Sequence, residues 1–140
     1  MSYGKPEAGA EIKGTPMSPL IEYPDRMFQV WGYSVGMRRL LLRSTKGEAA
    51  KTRVDVFFQN VKAMDVTTQM NGLAVFAAEG PDVKRISLTT GLVPSEDCIF
   101  YVLLSGGRRG HVVASLVAES VDDLEFHEAS QYWGSSTGIA

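Results

Sequence analysis

Two glycines, two arginines, a third glycine and a histidine stand together at 106–111, inside the stretch LLSGGRRGHVVAS of residues 103–115. Glycine amides beside guanidinium groups are the ingredients of a phosphate cradle, so anion binding is the first chemistry to test. A P-loop needs Gly-x-x-x-x-Gly-Lys-Ser/Thr running into a helix whose amides face the anion. Here Gly110 is followed by His111, and the chain continues as VVASLVA, a strand-forming run. The dinucleotide fingerprint Gly-x-Gly-x-x-Gly fails on spacing and on the same missing helix. The stretch therefore reads as a four-residue hairpin loop, with Gly106 and Gly107 in unusual backbone conformations and Arg108 and Arg109 at a solvated tip. If these arginines act, they contact an acidic surface, because a guanidinium fork binds carboxylates bidentately.

The histidines are His111 and His127, and an acidic run (Asp122, Asp123, Glu125, Glu128) surrounds the second. If 111–118 and 123–128 form a hairpin, His127 falls opposite Ala114 or Ser115. At ~3.3 Å per residue that is about 10 Å from His111, too far to share a zinc ion. The acidic run has no ligand framework and reads as a solvated edge that discourages further strand pairing. Cys98 is the single cysteine, and its neighbours in Cys98-Ile99-Phe100 favour a neutral buried thiol over a thiolate. No Gly-x-Ser-x-Gly elbow occurs. No catalytic residue, metal site or cofactor is expected, and the chain reads as a non-enzyme.

Arg38, Arg39, Arg43, Lys46, Lys51 and Arg53 make 38–53 the most basic stretch, with Glu48 its one acid and Trp31 and Tyr33 just before it. A basic face bearing aromatic rings is the chemistry of single-strand nucleic-acid binders. Against that reading, the formal net charge is −2, which gives no global attraction to phosphate backbones or anionic membranes. The basic stretch and the acidic stretch 119–128 face each other within the fold, face each other between subunits, or present themselves to a partner. Opposite patches of this kind steer protein encounters.

The elements that position these residues are strands. TRVDVFF alternates cleanly, Val54, Val56 and Phe58 against Arg53, Asp55 and Phe57, which predicts a half-buried strand. FQVWGYSV predicts a strand at 27–35 with Gln29, Trp31, Tyr33 and Val35 on one face. A two-residue type II′ turn at Gly36-Met37 then leads to a strand at 38–44. Residues 60–70 fit either a bulged strand or a short helix. Asn71-Gly72 is a turn signal, 73–78 a strand, and VKRISLTT (83–90) an alternating strand. Strands at 98–104 and 111–118 are apolar on both faces, which predicts a central hairpin covered twice. A last short strand alternates Leu124 and Phe126 against Glu125 and His127.

The expected architecture is all-β: about eight short, mostly antiparallel strands in a sandwich or barrel, in one domain at 27–128. Residues 1–26 carry four of the six prolines and are expected to be an extended or flexible tail. Residues 129–140 are expected to be a mobile tail on which Tyr132 and Trp133 dock. At 140 residues and 44% hydrophobic composition the chain can bury one core without disulfides. No basic region followed by an apolar run opens the sequence, and no run approaches a membrane span, which predicts a cytoplasmic protein with no membrane partner.

The function expected from this pattern is a non-enzymatic protein-interaction module, with self-association into a homo-oligomer as one form of it. A small bacterial immunity-type or accessory protein is an example. The alternative is a single-stranded nucleic-acid or small-ligand binder using Arg38, Arg39, Arg43 and Arg53 with Trp31 and Tyr33. Arg108 and Arg109 are the remaining candidate contacts.

Overall fold

The computed structural model describes residues 18–47, 50–125 and 127–128. Among them are eight antiparallel strands and one helix: β1 (Ile21–Ser34), β2 (Arg39–Ser44), β3 (Arg53–Gln59), β4 (Ala63–Asp65), β5 (Gln69–Ala77), α1 (Pro81–Thr90), β6 (Ile99–Ser105), β7 (Arg108–Ala114) and β8 (Leu116–Asp122). All eight belong to one sheet, ordered β4-β7-β6-β5-β1-β2-β3-β8. The all-β expectation holds, as a single curled sheet with open edges: its outer strands, β4 and β8, do not pair with each other.

The curl is visible in the ring contact between Phe58 of β3 and Tyr101 of β6. Their centroids lie 5.6 Å apart although three strands separate them in the sheet. Two corners bring this about. Asn60 takes a φ of 58° where β3 passes toward β4, and Ser115 alone separates β7 from β8. Across the corners the pairing is maintained by Ser115 N–H donating to the Gln59 carbonyl (2.9 Å) and Lys62 N–H donating to the Val113 carbonyl (2.7 Å). Residues 53–65 and 111–122 thus run against each other, through both corners. The ambiguous 60–70 segment is a bulged strand path, the first of its two readings.

The enclosed face holds the main core: Phe28, Leu40, Leu42, Val54, Val56, Phe58, Val75 and Leu103 among others. The period-2 pattern places Val54, Val56 and Phe58 there as expected. The other face of β3 is not solvated, however. Arg53, Asp55 and Phe57 are buried too, so β3 is covered twice.

The 83–90 segment corrects the expectation of a strand: it belongs to α1. Pro81 at the helix start has its φ already set and lacks an N–H that would go unused there. Asp82 sits favourably in the first turn, and Gly91 ends the helix in the left-handed conformation. Val83 and Ile86, three apart, share the face laid on the sheet, where Ile86 is fully buried against Cys98, Phe100, Val102 and Val113. This helix is the second cover for the hairpin at 98–118. That hairpin is not mid-sheet: β7 and β6 are second and third from the β4 end.

Three local features also depart from expectation. Strand β1 begins at Ile21, so Pro24 lies inside it, on a bulge between the pairs Tyr23–Leu73 and Met27–Asn71. Asn71-Gly72 is no turn. Gly72 adopts φ +77° within β5, and a Cβ there would lie 2.8 Å from the Pro24 carbonyl oxygen, so the β1 bulge occupies the space a side chain would need. The β1–β2 turn has four residues, Val35 to Arg38, and the positive φ falls on Arg38 (54°), not on Gly36. At the C-terminal end, 119–122 continues β8 where a turn was expected, and 123–125 and 127–128 form no strand. The tail expectations for 1–17 and 129–140, with Tyr132 and Trp133, lie outside the described residues. None of the described helices is long and apolar enough to cross a membrane.

Candidate functional site

The basic stretch divides into two groups with opposite fates. Arg43 and Arg53 point to the outer face of β2 and β3 and are 2% and 0% exposed. Arg43 binds Asp55 through two hydrogen bonds (Nε 2.7 Å, Nη2 3.1 Å). Arg53 reaches the same carboxylate at 3.9 Å and binds Asp122 bidentately, both contacts at 3.0 Å. Its remaining amine donates to the backbone carbonyls of Glu125 (2.8 Å) and Glu128 (2.6 Å). The result is a chain of alternating charges laid across three strands. Burial pushes the Asp122 carboxyl up, but the Arg53 hydrogen bonds and the Leu124 amide outweigh it and hold the group below its ordinary value. Both Arg43 and Arg53 are therefore structural, and neither is available to a ligand.

The acidic stretch meets the basic one inside the fold. Besides Arg53–Asp122, Lys46 pairs with Glu125 (2.9 Å) and donates to the Asp123 carbonyl (2.7 Å). Of the three arrangements open to the two stretches, pairing within the chain is the one observed. Glu119 is turned to the enclosed side, where its carboxylate accepts the Tyr23 hydroxyl. Burial and then this hydrogen bond push the Tyr23 phenol up to about 12.

Trp31 and Tyr33 do not form one platform. A bulge between the pairs Val30–Leu42 and Gly32–Leu41 inserts Trp31 as an extra residue. Trp31 packs on Leu41 and Phe57 outside the sheet, with the Arg43 guanidinium 5.1 Å from its ring centroid. Tyr33 pairs with Leu40, a residue of the enclosed core, and so belongs to the other face.

Arg38 and Arg39 stay near solvent at the β1–β2 turn, where Val35 (80% exposed), Met37 and Tyr33 are also exposed. The turn is held in shape: Ser34 Oγ accepts the Met37 N–H (3.3 Å), and the Arg38 carbonyl accepts the Val61 N–H (2.8 Å).

The glycine–arginine stretch resolves into a two-residue turn, shorter than the four-residue loop expected. Gly106 and Gly107 both have positive φ (55° and 83°), the type I′ geometry that follows the twist of the flanking strands. The third glycine has a different reason: a Cβ on Gly110 would collide with the Asp65 carbonyl oxygen, so its absence lets β4 close on β7. Arg108 and Arg109 are strand residues beyond the turn. Arg108 pairs with Asp65 (2.5 Å) and Arg109 with Asp82 (2.9 Å), which Arg85 also holds (2.8 Å). The acidic surface expected for them is supplied first by their own chain. Behind this network His111 is buried with Nδ1 making no hydrogen bond, and burial lowers its pKa from the ordinary 6.5.

Beside the Gly106-Gly107 turn lies a surface groove of about 450 Å³, bounded across β5 by the Pro24 bulge of β1. Sequence reading missed it, because its lining comes from four strands. Among the described residues no cluster of histidine, cysteine or carboxylate side chains could hold a metal ion.

No family model matches the chain, and searches of curated proteins and of solved structures find no match.

Proposed function

We propose that the protein is a non-catalytic binding domain that docks on another protein through the β1–β2 turn. The observation that carries this reading is Val35, an aliphatic side chain 80% exposed at the end of a turn whose shape is fixed by two hydrogen bonds and a positive φ at Arg38. A non-glycine residue in that conformation is costly and persists where its surroundings determine it. The turn is pre-organised, so little ordering entropy is lost on docking. Val35 and Met37 would enter an apolar pocket while Arg38 and Arg39 meet an acidic rim. Residues 26–47 contain no acid, so two turns of this kind repel each other, and a different protein suits the surface better than a second copy.

The nucleic-acid alternative has less behind it. With Arg43 and Arg53 buried and Trp31 and Tyr33 on opposite faces, two arginines remain for phosphates. With the exposed Lys51 of the same stretch, three contacts give a salt slope of only about −2.1 on a single strand, the signature of feeble binding.

A photo-crosslinking residue placed at position 35 in cells tests the proposal. The expected result is a discrete adduct with one protein, lost in Arg38→Glu/Arg39→Glu. Adducts no more discrete than those formed from position 88, an exposed site on α1, would overturn it.

A further inference from the structure

The sheet register places four residues in one row across four neighbouring strands: Glu22 beside Ala74, Ala74 beside Leu104, and Leu104 beside Arg109. All four line the 450 Å³ groove. Its floor is therefore apolar at Ala74 and Leu104, its β1 wall carries the Glu22 carboxylate, and its β7 wall carries two arginines, Arg109 and Arg108, the second bound to Asp65. Glu22 has no partner among the described residues. Arg109 gives one amine to Asp82, which leaves most of its five donors. The volume falls within the range of small-ligand sites, about 300–1,000 Å³.

We propose that this groove binds a short zwitterionic peptide lying across the strands, with its ammonium end on Glu22 and its carboxylate end on Arg109. The spacing decides the length. Three inter-strand steps of ~4.8 Å separate the two backbones by about 14 Å. An extended tripeptide spans about 10 Å, and a charge-assisted contact of about 2.8 Å at each end brings the reach to about 16 Å, enough to bridge the two walls. A single amino acid is too short to touch both walls. The Gly106-Gly107 turn carries no side chain into the groove, and Pro24 lines its β1 side without adding a charge. This site and the β1–β2 turn lie at opposite ends of β1, so it stands or falls independently of the docking proposal.

Amide chemical-shift mapping by NMR with tri-alanine, N-acetyl-tri-alanine and tri-alanine amide tests it. The expected result is saturable shifts at Ala74, Leu104 and Gly106 with free tri-alanine, and binding weaker by about threefold or more when either end is blocked, the scale of one exposed charge contact. Glu22→Gln should abolish only the preference for the free ammonium, and Arg109→Gln only the preference for the free carboxylate, with Arg109→Lys restoring it. Shifts that do not saturate, that fall elsewhere, or that are equal for the three peptides would overturn the proposal.

Discussion

Arg53 and Asp122 hold each other through two 3.0 Å hydrogen bonds across the β3–β8 ladder, 69 residues apart in the chain. The pair is one link of the Arg43–Asp55–Arg53–Asp122 chain, and its burial sets the energetics. Charges removed from water are tolerable only when fully paired, and deleting one partner strands the other.

Asp55 touches both arginines, so Asp55→Asn leaves two guanidinium groups short of a counter-charge. A loss of about 3 kcal/mol is expected, the scale measured for broken buried pairs, read as a lowered urea midpoint. Lys46→Ala removes an ion pair that solvent already screens and should leave the midpoint where it was.

Gly72→Ala confronts the Pro24 carbonyl at 2.8 Å and a φ of +77° at once. Neither backbone can yield without breaking β1–β5 pairs, so destabilisation should exceed about 1 kcal/mol, the usual gain or loss at a permissive glycine. Hydrogen exchange should show the extra opening at Tyr23 and Leu73, which flank the bulge.

Tyr23 gives a pH test at the alkaline end. Its folded pKa, about 12, lies above the ordinary 10.0, so the neutral phenol is the form the fold prefers. The stabilisation is complete below pH 10 and is lost as pH rises toward 12, because the unfolded chain releases its proton first. Ultraviolet titration should show two phenols ionising late, Tyr23 and Tyr101, whose pKa burial also raises, and Glu119→Gln should bring only the Tyr23 step earlier by removing the charge that the phenolate would face.

His111 acts at the acidic end. Burial lowers its folded pKa below 6.5, Asp65 works against that shift, and Arg85 and Arg108 add to it. Below pH 6.5 the unfolded chain gains a proton that the folded one refuses, so stability falls as pH drops through that value and levels off once the folded group also titrates. Urea midpoints between pH 7 and 5 should show this slope, and His111→Gln should flatten it.

Much of the sheet was legible because alternation reports one buried face, as at Val54, Val56 and Phe58. What alternation cannot report is a second cover. The charged face of β3 looked solvated, and only its partners Asp122 and Arg43 explain why it is buried. The α1 segment carries too few apolar residues for a stripe, since Val83 and Ile86 fit a helix while Ile86 and Leu88 fit a strand. Its true signals were the start at Pro81-Asp82 and the stop at Gly91. The Trp31 bulge shifts side chains between faces with no mark in the composition. The Glu22–Arg109 row needs the register of four strands at once, and single-strand patterns do not contain it.

The two corners at Asn60 and Ser115 also govern when the protein can become complete. Strand β3 receives its outer neighbour only after residue 122 has been synthesised, so on the ribosome its far edge waits open while some sixty residues follow. Non-local pairing of this kind is slow, and an open edge in the meantime invites aggregation. Until then Arg53 lacks its Asp122 partner, and a charge of this kind beside an open edge makes pairing with a wrong strand costly.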